Sequence, residues 1–231
     1  MRHALPLALT LALLRLGTLA AQTVNLEVPA RQDGVQGAPA KPAPAPLAPD
    51  ILVTQAMDES SQVAFPALAT DLVNAGSSSL SEVKHVDYAE YQGCRVGALN
   101  DGELGQDSSQ AGVAFDLDGA WTTTFVLNTA RAPRGYEIRE IRTLAGWVKY
   151  RANQKYELAV AKVGQPDLFV PLGVVEYAPD CTCSSRVTLS QANGPLATGV
   201  AALRFRFMPQ RAGVQSETAY REIDVVGIPL P

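Results

Sequence analysis

Histidine is almost missing from this chain: His3 and His85 are the only two among 231 residues, and cysteine stops at Cys94, Cys181 and Cys183. So few imidazoles and thiols exclude chemistry built on several histidines and a fold stapled by a dense set of disulfides. An excess of positive charge is lacking as well. Nineteen Lys and Arg stand against 23 Asp and Glu, a formal charge of −4, so nothing drives phosphate contacts and a nucleic-acid partner is not expected. No apolar run approaches the roughly 20 residues that span a bilayer, so no transmembrane segment is expected. Gly-x-Ser-x-Gly, His-Glu-x-x-His, a glycine-rich phosphate loop and a dinucleotide fingerprint are all absent. A Cys94–His85 nucleophile–base pair is conceivable and nothing singles out paired carboxylates, so the chain is not expected to be an enzyme. What remains is 47% hydrophobic, enough for one sizeable core.

The two ends differ in character. Arg2 and His3 precede an apolar run from Ala4 to Leu14, and Thr18-Leu19-Ala20 places small residues where a signal peptidase reads. Residues 1–20 are therefore read as a signal peptide and the protein as secreted, either extracellular or periplasmic. Removing them takes Arg2 and Arg15 from the 19 basic residues against 23 acidic ones, leaving a formal −6. Residues 38–49 contain five Pro and five Ala. Proline at that density fixes φ and denies backbone donors, so 21–49 is expected to be a disordered Pro/Ala-rich spacer. Residues 50–82 are a lead-in segment, with Phe65 to Val73 the candidate for a short helix.

From about residue 83 the apolar spacing is two rather than 3.6. Trp121, Thr123, Phe125 and Leu127 share one face of 121–127. Leu203, Phe205 and Phe207 alternate with Arg204 and Arg206, and Ile223 and Val225 alternate with Glu222 and Asp224. Further strands are expected over 83–91, 112–118, 136–145, 156–163, 169–176 and 185–190, with Gly, Pro, Asn and Asp between them. About eight or nine short strands without a long helix predict an all-β sandwich of two antiparallel sheets.

Four phrases then resemble the galactose-binding-like jelly roll, the superfamily that includes the discoidin or coagulation-factor C type domains. They are Leu99-Asn100-Asp101-Gly102, Trp121 followed by Phe125-Val126-Leu127, Arg151 to Val160, and Tyr220 to Gly227. Their order covers roughly residues 80–228, and the domain is placed at 83–228. The resemblance implies a jelly-roll β-sandwich that binds a carbohydrate or cell-surface glycan without catalysis. The alternative is an extracellular structural or adhesion protein that binds another protein, and a hydrolase comes third. Two departures stand out. No cysteine beyond Cys183 is present to join the domain's ends, and Ala161-Lys162-Val163-Gly164-Gln165 replaces the usual Ser-x-Asp-Gly.

The resemblance also implies a structural Ca²⁺ near the Asp-Gly loop, which points to Asn100, Asp101, Glu103 and Glu222 as its oxygen donors. The competing assignment is plain turn chemistry for Asn100-Asp101-Gly102, with Glu222 a surface carboxylate. For a ligand, Trp147, Tyr150, Arg151 and Asn153 combine aromatic faces with planar polar groups on one loop-rich stretch. Against that, Trp147 and Tyr156 could fill the core while Arg151 and Asn153 tie down a loop. Cys94, Cys181 and Cys183 are the disulfide candidates. Cys94 can pair with either of the others, or Cys181 and Cys183 can pair locally.

Overall fold

A computed structural model describes residues 46–58, 65–68, 71–74, 81–86, 96–104, 113–115, 121–146, 152–179, 181, 183–208 and 218–231. Residues 1–20, read as a signal peptide, and most of the expected spacer lie outside them. Ten strands run in chain order: β1 (Ile51–Asp58), β2 (Ser81–Val86), β3 (Val113–Phe115), β4 (Trp121–Leu127), β5 (Tyr136–Ala145), β6 (Gln154–Lys162), β7 (Gln165–Tyr177), β8 (Ser184–Gln191), β9 (Ala197–Phe207) and β10 (Thr218–Pro229). The only helical turn among the described residues is a short 3₁₀ segment at Val96–Leu99. The fold is all-β, with two more strands than the lower sequence expectation.

Every pairing between strands is antiparallel. One layer reads β2-β4-β9-β6-β7 and the other β1-β8-β5-β10-β3; they join at a corner where Tyr136 pairs Val200 and Ile138 pairs Ala197. The apolar sides of the two layers face each other, as period-two alternation requires. On β9, Leu203, Phe205 and Phe207 are fully buried while Arg204 and Arg206 are half-buried on the other face. Phe207 meets Tyr220 of the opposite layer with ring centroids 4.4 Å apart, and Phe125, Tyr156 and Phe205 extend this aromatic cluster. Such rings contribute by area and by edge-to-face geometry.

Two boundaries differ from the sequence reading. The sandwich starts at β1, which pairs β8 along its whole length from Ile51↔Gln191 to Asp58↔Ser184, so residues 51–58 are part of the fold rather than lead-in. Residues 65–68 and 71–74, the described part of the expected short helix, are irregular. They lie along β10, where the Leu72 N–H donates to Val225 O at 2.8 Å. Tertiary pairing, which no local periodicity records, made both choices.

The spacer also ends earlier than expected. Pro46 forms a bridge to Val174 of β7, and the Ala48 N–H donates to Leu172 O. Leu47 packs on the core. Extended proline backbone suits an edge position where no donor is required. The strap fits because Gly173, at φ +139°, has no side chain: a Cβ there would sit 2.3 Å from Leu47 Cα. Limited proteolysis should therefore trim the chain to a stable fragment beginning near Pro46, not near residue 50. Gly173→Ala should move that cut to the start of β1; an unchanged fragment, read by mass spectrometry, would show that the strap is not held there.

Candidate metal centre

The sequence of β10, Thr-Ala-Tyr-Arg-Glu-Ile-Asp-Val, sends Ile223 and Val225 into the core and places Glu222 and Asp224 on the opposite side of the sheet. That side would ordinarily face water. Here it is covered by residues 65–68 and 71–74, which are irregular, and by 96–104, which opens on the 3₁₀ turn. Leu68 N–H donates to Asp224 Oδ1 at 2.9 Å, and Gly102 N–H reaches Glu222 Oε1 at 3.4 Å. Asn100 Nδ2 donates to Val73 O at 2.6 Å, tying the two covering segments together. Gly102 is needed at φ +80° because a Cβ would come 2.4 Å from Asn74 Nδ2.

This cover brings Asp71 onto Glu222 and Asp224. One carboxylate oxygen from each lies within 4.8 Å of the others, and all three side chains are buried. Asp71 Oδ1 accepts the Val73 N–H at 2.6 Å in a tight local turn. Among the described residues no donor reaches Asp71 Oδ2, Glu222 Oε2, Asp224 Oδ2 or the Asn100 carbonyl oxygen Oδ1, although a proton shared between Asp71 and Asp224 would bond those two to each other. Burial raises Asp71 to about 7, aided by the charge of Asp224. It raises Asp224 to about 6, against the Leu68 N–H and the Arg142 guanidinium, which lower it. Glu222 goes to about 10, by burial first and then by the charges of Asp224, Asp101 and Asp71. Three enclosed carboxylates cannot all stay ionised on their own; protons or a cation must balance them. Oxygen donors of this kind suit a hard cation such as Ca²⁺, which takes six to eight of them; the three carboxylates would supply the charged share of its shell.

The sequence-derived ligand set changes accordingly. Glu222 belongs to the cluster and is a core carboxylate, not a surface one. Asn100 is buried beside Val73 with its carbonyl oxygen unpartnered. Asp101 and Glu103 are exposed, and Asp101 Oδ1 accepts the Glu103 N–H at 2.9 Å; they do turn chemistry at the rim. Asp71 and Asp224 take their place. Asp224 carried a signal in the sequence, an acid two residues from Glu222 in an otherwise apolar strand. Asp71 carried none, because its role comes from a contact across about 150 residues.

Of the expected ligand surface, Trp147, Tyr150 and Arg151 lie outside the described residues. Asn153 is fully buried with neither amide atom hydrogen-bonded among the described residues. The cause is the neighbouring backbone: Ala152 bridges Thr218 of β10 and draws this stretch into the sandwich. Tyr156 fills the core. Cys181 and Cys183 pair locally as a disulfide, 5.3 Å between Cα atoms; Cys94 lies outside the described residues. His85 stands in β2 opposite Thr123.

No family model and no curated protein matches this chain. Solved structures do. Allantoicase matches at 12% identity and a TM-score of 0.44, over 69% of this chain and 44% of the allantoicase chain. The protein CpGH89CBM32-6 produced by Clostridium perfringens matches at 14% identity and 0.37, over 66% of this chain and 98% of its own. The C-terminal domain of a chitobiase from Bacteroides fragilis matches at 13% identity and 0.42, over 70% and 100%. This chain thus spans less than half of the allantoicase chain. At these identities neither ligand nor chemistry passes from these proteins to this chain.

Proposed function

We propose that this chain is a secreted, non-catalytic binding module for a carbohydrate or cell-surface glycan, with a Ca²⁺ ion closing its sandwich. The observation that carries the reading is the placement of its ionisable cluster. Asp71, Glu222 and Asp224 are buried beneath residues 65–68, 71–74 and 96–104, out of reach of a substrate, and join an early segment to the last strand. Bound there, Ca²⁺ supplies positive charge to three carboxylates that otherwise need protons. Asp71, Glu222 and Asp224 would hold it, with the carbonyl oxygen of Asn100 the next donor. Recognition is then left to other residues, and Trp147, Tyr150 and Arg151 are of the types that lie flat on a sugar and bond its hydroxyls. On a glycan array the Ca²⁺-loaded protein should retain selected sugars, and Trp147→Ala should lose at least tenfold in retention. A blank array over neutral and acidic glycans would overturn the reading.

One observation favours the alternative of a protein partner. Strand β1 pairs with β8 alone among the described residues, and Leu52, Val53 and Met57 on it are 49%, 39% and 51% exposed. An apolar edge strand is a template for adding another chain's strand. Met57→Lys should abolish such association and leave sugar retention unaltered.

A further inference from the structure

The outer side of the β2-β4-β9-β6-β7 layer departs from a solvated face in one place. Its cross-strand rows are Thr122-Arg206-Glu157, then Thr124-Arg204-Ala159, then Val126-Ala202-Ala161. The first row is ordinary, with Arg206 Nη1 on Glu157 Oε1 at 2.9 Å. The third has alanine on both β9 and β6, although alanine is a poor strand former. Ala161 and Ala202 are nonetheless buried. The β6–β7 hairpin, turning at Val163-Gly164, contributes Pro166, Asp167 and Phe169 to the same place and leaves a depression of about 290 Å³ against the sheet. Small side chains on β9 make room for it.

The walls are chemically mixed. Val126 and Ala202 offer methyl groups, Phe169 an aromatic ring, and Thr124, Asp167 and Arg204 polar groups. Arg204 is pre-positioned: its guanidinium carbon lies 3.4 Å from the Phe169 ring centroid, and its Nε donates to Thr124 Oγ1 at 3.3 Å. Unlike Arg206, Arg139 and Arg142, it makes no ion pair among the described residues. A guanidinium held flat against a ring keeps donors for a ligand at little further entropic cost.

We propose that this depression binds one neutral pyranose ring. A sugar ring is apolar on its C–H faces and polar at its edge. It can lie on the Val126 and Ala202 methyls while its hydroxyls accept from Arg204 and donate to Asp167. A carboxylated sugar would meet the charge of Asp167, and an apolar ligand would leave Asp167 and Arg204 desolvated without partners. The volume sits at the small end of ligand pockets, suited to one ring. The proposal rests on the carbohydrate reading for its ligand chemistry, but it places the contact on the sheet and hairpin rather than on Trp147, Tyr150 and Arg151.

The test is an NMR titration of the full chain, ¹⁵N-labelled and carrying ¹³C-labelled alanine methyls, with the methyl pyranosides of glucose, galactose and mannose and with glucuronate. The expected result is a saturable shift of the Ala201 and Ala202 methyls with at least one neutral pyranoside in the millimolar range. Arg204→Gln should weaken it at least tenfold, as should Ala202→Val, which fills the floor; Arg206→Gln, outside the depression, should not. Shifts confined to the Trp147 indole N–H would overturn this site and leave the loop reading standing. Alanine shifts without Trp147 shifts would do the reverse. A stronger alanine response to glucuronate than to every neutral sugar, or none to any sugar, would overturn the proposal.

Discussion

Chelation should lower the melting temperature of this protein by about 5–10 °C at pH 8 and by far less at pH 5. The argument starts from Asp71, Asp224 and Glu222, whose folded-state pKa values are raised to about 7, about 6 and about 10. Without a cation, the folded chain keeps protons that the unfolded chain releases near its ordinary carboxylate range. Between about pH 5 and 6, stability of the metal-free protein should therefore fall as pH rises, by about 1.4 kcal/mol per pH unit for each such proton. The stabilising contribution of the protonated cluster is complete below the unfolded pKa values. Asp224 and then Asp71 lose theirs as pH passes through 6 and 7, and Glu222 continues toward 10.

Calcium bound to the ionised form would reverse this slope, since it must displace protons at low pH. At a hundredfold excess over Kd it adds about 2.7 kcal/mol, and for a domain of this size each kcal/mol moves Tm by about 2–4 °C. Asp224→Asn should abolish the calcium shift and stabilise the metal-free protein at pH 8, since it removes a buried charge. Asp101→Ala should leave most of the shift in place, because that carboxylate is exposed. Mg²⁺ should substitute poorly, as it demands a tighter octahedron. Scanning calorimetry with calcium and with EDTA at the two pH values reads all of this. Curves indifferent to both additives at pH 8 would show that the cluster is balanced by protons alone.

Phe205→Ala should cost roughly 3–5 kcal/mol, a large share of the 5–15 kcal/mol that holds a typical domain. The ring is fully buried, edge-on to Phe125 at 5.8 Å, tilted to Tyr156 at 5.7 Å and stacked with Phe207 at 5.9 Å. Its removal opens a cavity among rigid aromatic neighbours that cannot collapse into it. Urea unfolding should show a lower midpoint at unchanged slope. Leu168→Ala, on the exposed part of β7 at 55% exposure, should change stability by no more than about 0.5 kcal/mol. A loss under 1 kcal/mol for Phe205→Ala would mean that β9 presents its other face to the core.

The amino-acid sequence by itself determined the faces of the central strands. The expected strand ranges 121–127 and 136–145 match β4 and β5, and Leu203, Phe205 and Phe207 point inward as read. A period-two pattern is a local property, legible wherever one side of a strand is apolar and the other polar. Glu222 was legible in the same way, as part of a closing strand whose phrase resembles a known one. Tertiary structure alone decided the rest. β1 became a strand because β8 offered it an edge. Pro46 to Ala48 became a strap because Gly173 left room for it. Asp71 became a partner of Glu222 and Asp224, and Asp101 did not, because residues 65–68, 71–74 and 96–104 fold over the polar side of β10. A carboxylate's pKa and its ability to hold an ion depend on what excludes water from it. For this cluster the exclusion comes from residues roughly 120 to 150 positions away, which no local pattern can encode.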